Sequence, residues 1–179
     1  MITSEIVIGF SKGEKAAFDK IYAAFSASMF GVCLRYARCR DDAQDMLQDS
    51  FIKLYNARET VNTELPLAPW IKTITIRTAL NYIKKNYSTI LVENELRFDQ
   101  AIFNDEETID KQALMDKLIK ILQQLPDGYR TVFNLYTIDN LTHKEIAEYL
   151  SISEGTSKSQ YFKAKKMIHE LLAVEKQLQ

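Results

Sequence analysis

Three stretches of this chain carry side chains whose types and spacing suit work on a charged polymer. From Gly155 to Lys166 the chain holds Lys158, Lys163, Lys165 and Lys166 and no acid, a local charge of +4. At helical spacing Lys158, Ser159, Phe162, Lys163 and Lys166 share one face. Lysines there would neutralise phosphates, the small Ser159 would permit close approach, and Phe162 could touch a thymine methyl. A second stretch sets Trp70, Ile74, Thr78 and Tyr82 along one side of a helix and Arg77, Asn81, Lys84 and Lys85 along another. The third is a stripe of acceptors, with Asp45, Gln48, Asp49 and Ile52 at i, i+3, i+4 and i+7, suited to basic partner residues. Each has a plainer alternative: the charges form solvated faces, Phe162 packs on a neighbouring helix, and Trp70 is a core anchor.

Reaction chemistry finds no comparable set. His143 and His169 are far apart, no glycine-rich phosphate loop exists, and no carboxylate, Cys and His grouping has catalytic or metal spacing. Neither an enzyme, a cofactor, a metal nor a small-molecule substrate is expected. Cys33 and Cys39 fit neither a disulfide framework nor a zinc knuckle and read as free thiols.

The elements that must hold these faces are helices. Ser11 to Glu14 reads as a capping box, so a helix should begin there. Phe18, Ile21, Tyr22, Phe25, Met29, Val32, Cys33 and Tyr36 then form a core stripe. Asp41 and Asp42 can cap the next helix, with Ala43, Met46, Leu47, Phe51, Leu54 and Tyr55 inward. Residues 59–69 are a loop stiffened by two prolines, and a third helix runs from near Pro69 to about Asn86. After a polar stretch, Leu114, Leu118, Ile121, Leu122 and Leu125 share a face that ends at Pro126. Asp127 can cap the following helix, whose buried stripe is Tyr129, Val132, Phe133 and Tyr136. Thr142 to Glu145 is a second capping box, opening a short helix with Ile146, Ala147 and Leu150 inward. Ser151 and Ile152 make a turn, and Ser153 caps a last helix with Ser157, Tyr161, Ala164, Ile168 and Leu171 inward. A capped helix, a short turn and a second capped helix with a basic outer face match the helix-turn-helix plan for the major groove.

Composition agrees with an all-α chain of two small helical domains. Only 5 Gly and 3 Pro occur in 179 residues, with 46% hydrophobic and 26% charged. No run of side chains approaches the roughly 18 apolar residues of a membrane span, and the first residues lack a signal peptide's basic start, so a cytoplasmic protein is expected. The net charge of -1 conceals a segregation: residues 1–87 carry +3, residues 88–117 carry -5 and residues 118–179 carry +1. An acidic linker over 88–111 would therefore join an N-terminal domain over 1–87 to a C-terminal helix-turn-helix domain over 112–179.

At these residues a resemblance enters. LTHKEIAEYLSISEGTSKSQYFKAKK, with the preceding LQQLPDGYRTVFNLY, is similar to the C-terminal promoter-binding region of the extracytoplasmic-function (ECF) sigma factors of bacterial RNA polymerase. ARCRDDAQDMLQDSFIKLYNA and APWIKTITIRTALNYIKKN resemble that family's N-terminal region: an acidic helix, a Trp and a basic helix. Two matches in the family's order are more specific than either alone. The resemblance implies that Asp45, Gln48, Asp49 and Phe51 dock on core polymerase. It implies that Trp70, Arg77, Asn81, Lys84 and Lys85 handle the minus-ten element beside a base pocket in residues 59–69. It further implies that Thr156, Lys158, Ser159, Phe162, Lys163 and Lys166 serve the minus-thirty-five element, and that an anti-sigma factor masks these surfaces. Opening DNA costs about 1.4 kcal/mol per stacked step, and stacking a freed base on an aromatic recovers about 1 to 3 kcal/mol. The chain departs from the family pattern at Gln44, Arg77, Asn81, Lys84 and Lys85. Lysine lacks the bidentate fork of the arginines common there, so promoter preference does not transfer. The competing reading is a stand-alone helix-turn-helix regulator with an N-terminal dimerisation or sensing domain; it leaves the acidic helix, loop and Trp-basic helix unexplained.

Overall fold

The structure, a computed structural model, describes residues 2–86 and 111–177, and all its regular elements there are helical. Residues 88–110 of the expected acidic linker and the side chain of Leu114 lie outside the described residues, and Lys111, its expected last residue, begins the first helix of the second unit. Chain contacts divide the protein into two compact units, residues 1–88 and 89–179.

The first unit holds α1 (Ser4–Ser11), α2 (Lys15–Tyr36), α3 (Arg40–Asn56) and α4 (Leu67–Asn86). The Ser11 to Glu14 box does not form. Ser11 is the last residue of α1, and its hydroxyl donates back to the Ile8 carbonyl at 2.8 Å. The backbone then turns at Gly13, whose φ of +83° is open to glycine at little cost, and Glu14 precedes α2 without a side-chain cap. By length and mean hydropathy alone α2 could cross a membrane, which corrects the view that no segment of the chain could. In the fold it packs against α1, α3 and α4. Ile21, Tyr36, Met46, Leu54, Ile71 and Ile83 are almost wholly buried between these helices. Each such aliphatic side chain contributes roughly 1.5 to 3 kcal/mol of burial. The helix α3 starts one residue before the expected caps: Asp41 and Asp42 sit in its first turn, complementing the helix dipole without bonding to it as caps. In α4, Pro69 falls in the first turn, where a missing N–H costs nothing.

The second unit holds α5 (Lys111–Gln124), α6 (Asp127–Phe133), α7 (His143–Leu150) and α8 (Glu154–Gln177). A wide turn over Asn134–Ile138 prolongs α6. Its apolar centre is Leu122, Leu125, Ala164 and Met167, flanked by Leu118, Tyr129, Phe133, Ile168 and Leu171. Asp127 does not cap α6; it pairs with Arg130, which is fully buried. Arg130 Nη1 also donates to the carbonyls of Leu125 at 3.1 Å and Gln123 at 3.3 Å, satisfying acceptors at the exhausted end of α5. Tyr136, expected in the core, is 37% exposed, because its ring lies flat on His143 at the surface.

Candidate nucleic-acid interface

The helix-turn-helix is held by reciprocal caps. Glu145 Oε2 accepts from the Thr142 backbone N–H at 2.8 Å and from its hydroxyl at 2.7 Å, while the Glu145 N–H donates to Thr142 Oγ1 at 3.3 Å. The Thr142 hydroxyl, then its backbone N–H, holds the Glu145 carboxyl below the ordinary carboxylate range. The turn passes through Ser151 at φ 57° and ψ 46°, and the Ile152 N–H closes on the Ala147 carbonyl at 3.0 Å. Ser153 Oγ then accepts from the Thr156 N–H at 2.9 Å, capping α8 as its sequence predicts. Across the motif, His143 Nδ1 lies 2.9 Å from Ser157 Oγ. Tyr136 stacks 4.3 Å from His143 and meets Tyr161 at 4.6 Å, so the start of α7 is clamped to α8.

This frame leaves Lys158, Ser159, Phe162, Lys163 and Lys166 exposed on α8. Phe162 is 70% exposed, which overturns the alternative in which it packs on a neighbouring helix of its unit. The Thr156 hydroxyl shares a 2.8 Å bond with Ser153, so Thr156 serves the cap as well as the face. The +4 stretch is bracketed by acids that sequence counting excluded: Lys158 Nζ lies 2.7 Å from Glu154, and Lys166 Nζ 3.9 Å from Glu170. Lys163 reaches over the Tyr129 ring, 5.9 Å from its centroid. Lys158, first by its hydrogen bond and then by its charge, holds the Glu154 carboxyl below the ordinary range.

In the first unit, α3 presents Asp45, Gln48, Asp49 and Ile52 outward, with Ile52 59% exposed, and turns Phe51 inward, 4% exposed. Phe51 touches the Tyr22 ring at 4.7 Å and the Phe18 ring at 6.4 Å. Tyr22 is 44% exposed rather than core, because it sits on the edge of the α2 stripe. With Phe18, Phe51, Ile52 and Tyr55 it lines an apolar groove of about 400 Å³ beside Gln48. Sequence reasoning missed this groove; an eight-member apolar stripe wider than a helix can bury was the available signal. Tyr82 of α4 donates to Asp42 at 3.0 Å and approaches Asp45 at 3.4 Å, tying the acidic helix to the basic one. Burial, then the Asp42 hydrogen bond, raises the Tyr82 hydroxyl above its ordinary value.

Arg77, Asn81, Lys84 and Lys85 are exposed along α4, opposite the buried Ile71, Thr75, Thr78 and Ile83. Trp70 combines both readings: it is half-buried, edge-on to Phe10 with ring centres 6.3 Å apart. In the preceding loop Asn62 Oδ1 accepts from the Glu64 N–H at 2.9 Å, and Leu65 is 62% exposed. The α3 and α4 groups thus share one unit, and the α8 group belongs to the other.

With that geometry in hand, the family comparisons are informative. The sigma-70 region 2 model matches residues 21–89, and the sigma-70 region 4 model matches residues 115–168. The ECF RNA polymerase sigma-E factor of Haemophilus influenzae is 29% identical over 167 residues, covering 88% of each chain. The RNA polymerase sigma-H factor of Pseudomonas aeruginosa is 28% identical over 187 residues, covering 96% of each. Among solved structures, that of CnrH in complex with the cytosolic domain of CnrY shares the fold, with a TM-score of 0.52, 19% identity, and coverage of 96% of this chain and 97% of that one. A stand-alone regulator has no use for a region 2 domain ahead of its helix-turn-helix. The chain belongs to the sigma-70 family as an ECF-type sigma factor, which directs promoter-specific initiation by bacterial RNA polymerase.

Proposed function

We propose a division of labour between the two units, with residues 1–87 docking on core polymerase and handling the minus-ten element and residues 112–179 holding the minus-thirty-five element. The polymerase carries out the chemistry, in the cytoplasm where it works. Asp45, Gln48 and Asp49 would accept hydrogen bonds from basic residues of the core enzyme, with Phe51 supporting the helix from beneath. On α4, Arg77, Asn81, Lys84 and Lys85 would hold the DNA backbone, and the free edge of Trp70 would meet a base released as the strands part. On α8, Thr156, Lys158, Ser159, Phe162, Lys163 and Lys166 would meet the upstream duplex.

The observation that carries this reading is Phe162, a large apolar side chain 70% exposed at the middle of a basic face on a doubly capped motif. Set among lysines that can hold phosphates, such a side chain is placed to meet a thymine methyl in the major groove. An anti-sigma factor is a further partner, since the structurally similar CnrH was solved with the cytosolic domain of CnrY. Run-off transcription with purified core enzyme tests the proposal. A promoter-specific transcript that requires both the chain and core, and that Phe162→Ser abolishes without unfolding the protein, is expected. Specific DNA binding by the chain with no association with core would reject it.

A further inference from the structure

We propose that Glu154 and Lys158 act together as a base-reading couple that selects a C·G pair in the upstream promoter element. The inference rests on the reading that α8 enters the major groove, where the N-terminal residues of a recognition helix reach base edges. Glu154 Oε1 and Lys158 Nζ lie 2.7 Å apart across one helical turn, with side chains 50% and 60% exposed. Glu154 stands in the first turn of α8, directly after the turn that follows α7, and Lys158 stands one turn further on.

An isolated carboxylate there would oppose the phosphates. Joined to Lys158 it forms a net-neutral pair that offers an acceptor and a donor side by side. The edge of a C·G pair is complementary, with the cytosine N4 amino group as donor and guanine O6 and N7 as acceptors. An A·T pair fits less well. Its adenine amino group lies between two acceptors, N7 and thymine O4, so a carboxylate bonded to it meets like partial charge on both sides. The thymine methyl also crowds the ammonium. On C·G the carboxylate has one acceptor neighbour, guanine O6, and Lys158 covers it. Lys158 is thereby assigned to a base rather than to a phosphate.

The test uses the full chain with purified core enzyme and a promoter pool randomised through the upstream element, with transcripts sequenced. For the native chain, one position should favour C·G by roughly 5- to 150-fold, the range expected for one good base contact. Glu154→Gln should move that position towards A·T, because an amide can bond adenine N6 and N7 together, and should leave the other positions unchanged. Lys158→Ala should flatten the same position. An unchanged preference at every position in Glu154→Gln, or an even loss across the pool, would overturn the inference, the latter being what a merely structural role at the helix start produces. A native chain with core-dependent transcription but no upstream preference would overturn groove docking itself, and this inference with it.

Discussion

Replacing Arg130 with methionine keeps most of the side-chain volume and removes the charge, so it isolates what the buried guanidinium does. Arg130 is wholly buried, pairs with the largely buried Asp127, and donates to two carbonyls at the end of α5. Bonds to charged groups contribute about 1.5 to 3 kcal/mol each, but they do not add, because the dominant loss is the stranded partner. Breaking a buried pair on one side costs about 3 to 5 kcal/mol. Such a loss is comparable to the whole stability of a small domain. The chain provides its own assay, since its 1 tryptophan, Trp70, lies in the first unit. In urea unfolding, tryptophan fluorescence follows residues 1–88, whereas far-ultraviolet circular dichroism follows both units. Arg130→Met should shift a dichroism component to lower urea and leave the fluorescence transition in place. Adding Asp127→Asn should recover part of the loss, because the second change removes the uncompensated carboxylate. A dichroism transition within about 0.5 kcal/mol of the native one, the range of an ordinary surface substitution, would refute the reasoning.

Ser151 holds a left-handed conformation that costs an L-residue about 1 to 2 kcal/mol. Ser151→Gly, after glycine's extra chain entropy, should therefore stabilise the second unit by about 0.5 to 1 kcal/mol in the same urea assay; destabilisation would contradict the turn. The raised Tyr82 hydroxyl favours the folded state below its ordinary value of 10.0 and loses that contribution as pH rises above it. In an absorbance titration, Tyr82→Phe should lower by one the number of the 9 tyrosines that resist ionisation until the first unit unfolds. The depressed Glu145 carboxyl acts in the opposite direction: its contribution is present above its ordinary value of 4.5 and is lost as pH falls through its lower folded value. Glu145→Gln should weaken the acid dependence of helix content, and an unchanged acid limb would count against the capping box.

The motif that faces DNA was legible because its signals are local. Thr142 with Glu145, and Ser153 before α8, each need only neighbours three residues away, and both caps form. The inward placement of Phe51 and the outward placement of Asp45 and Asp49 followed from helical period alone. Ser11 and Glu14 carry the same letters as a capping box, yet the chain before them was already helical, and a serine ending a helix bonds backwards instead. Tyr22 differs from its expected core position because periodicity gives the direction of a stripe and not its width; α3 and α4 cover the middle of it and leave the edge as a groove. The Arg130 clasp depends on how the end of α5 meets α6, and the burial of Thr131, Asn134, Ser157 and Gln160 depends on the packing of α6 and α7 against α8, which no local pattern encodes. The α8 face is less positive than the run from Gly155 to Lys166 implies, because Glu154, one residue before it, and Glu170, four residues after it, fold onto its lysines.

The division of labour is tested most directly by measuring two variants in two assays: association of the full chain with core polymerase, and protection of the upstream element by the assembled holoenzyme across a salt series. Asp49→Ala should weaken core association while leaving upstream contacts intact in the complexes that form. Lys163→Ala should leave core association unchanged and reduce the salt slope of promoter binding by about one. Equal losses for both variants in both assays would contradict it.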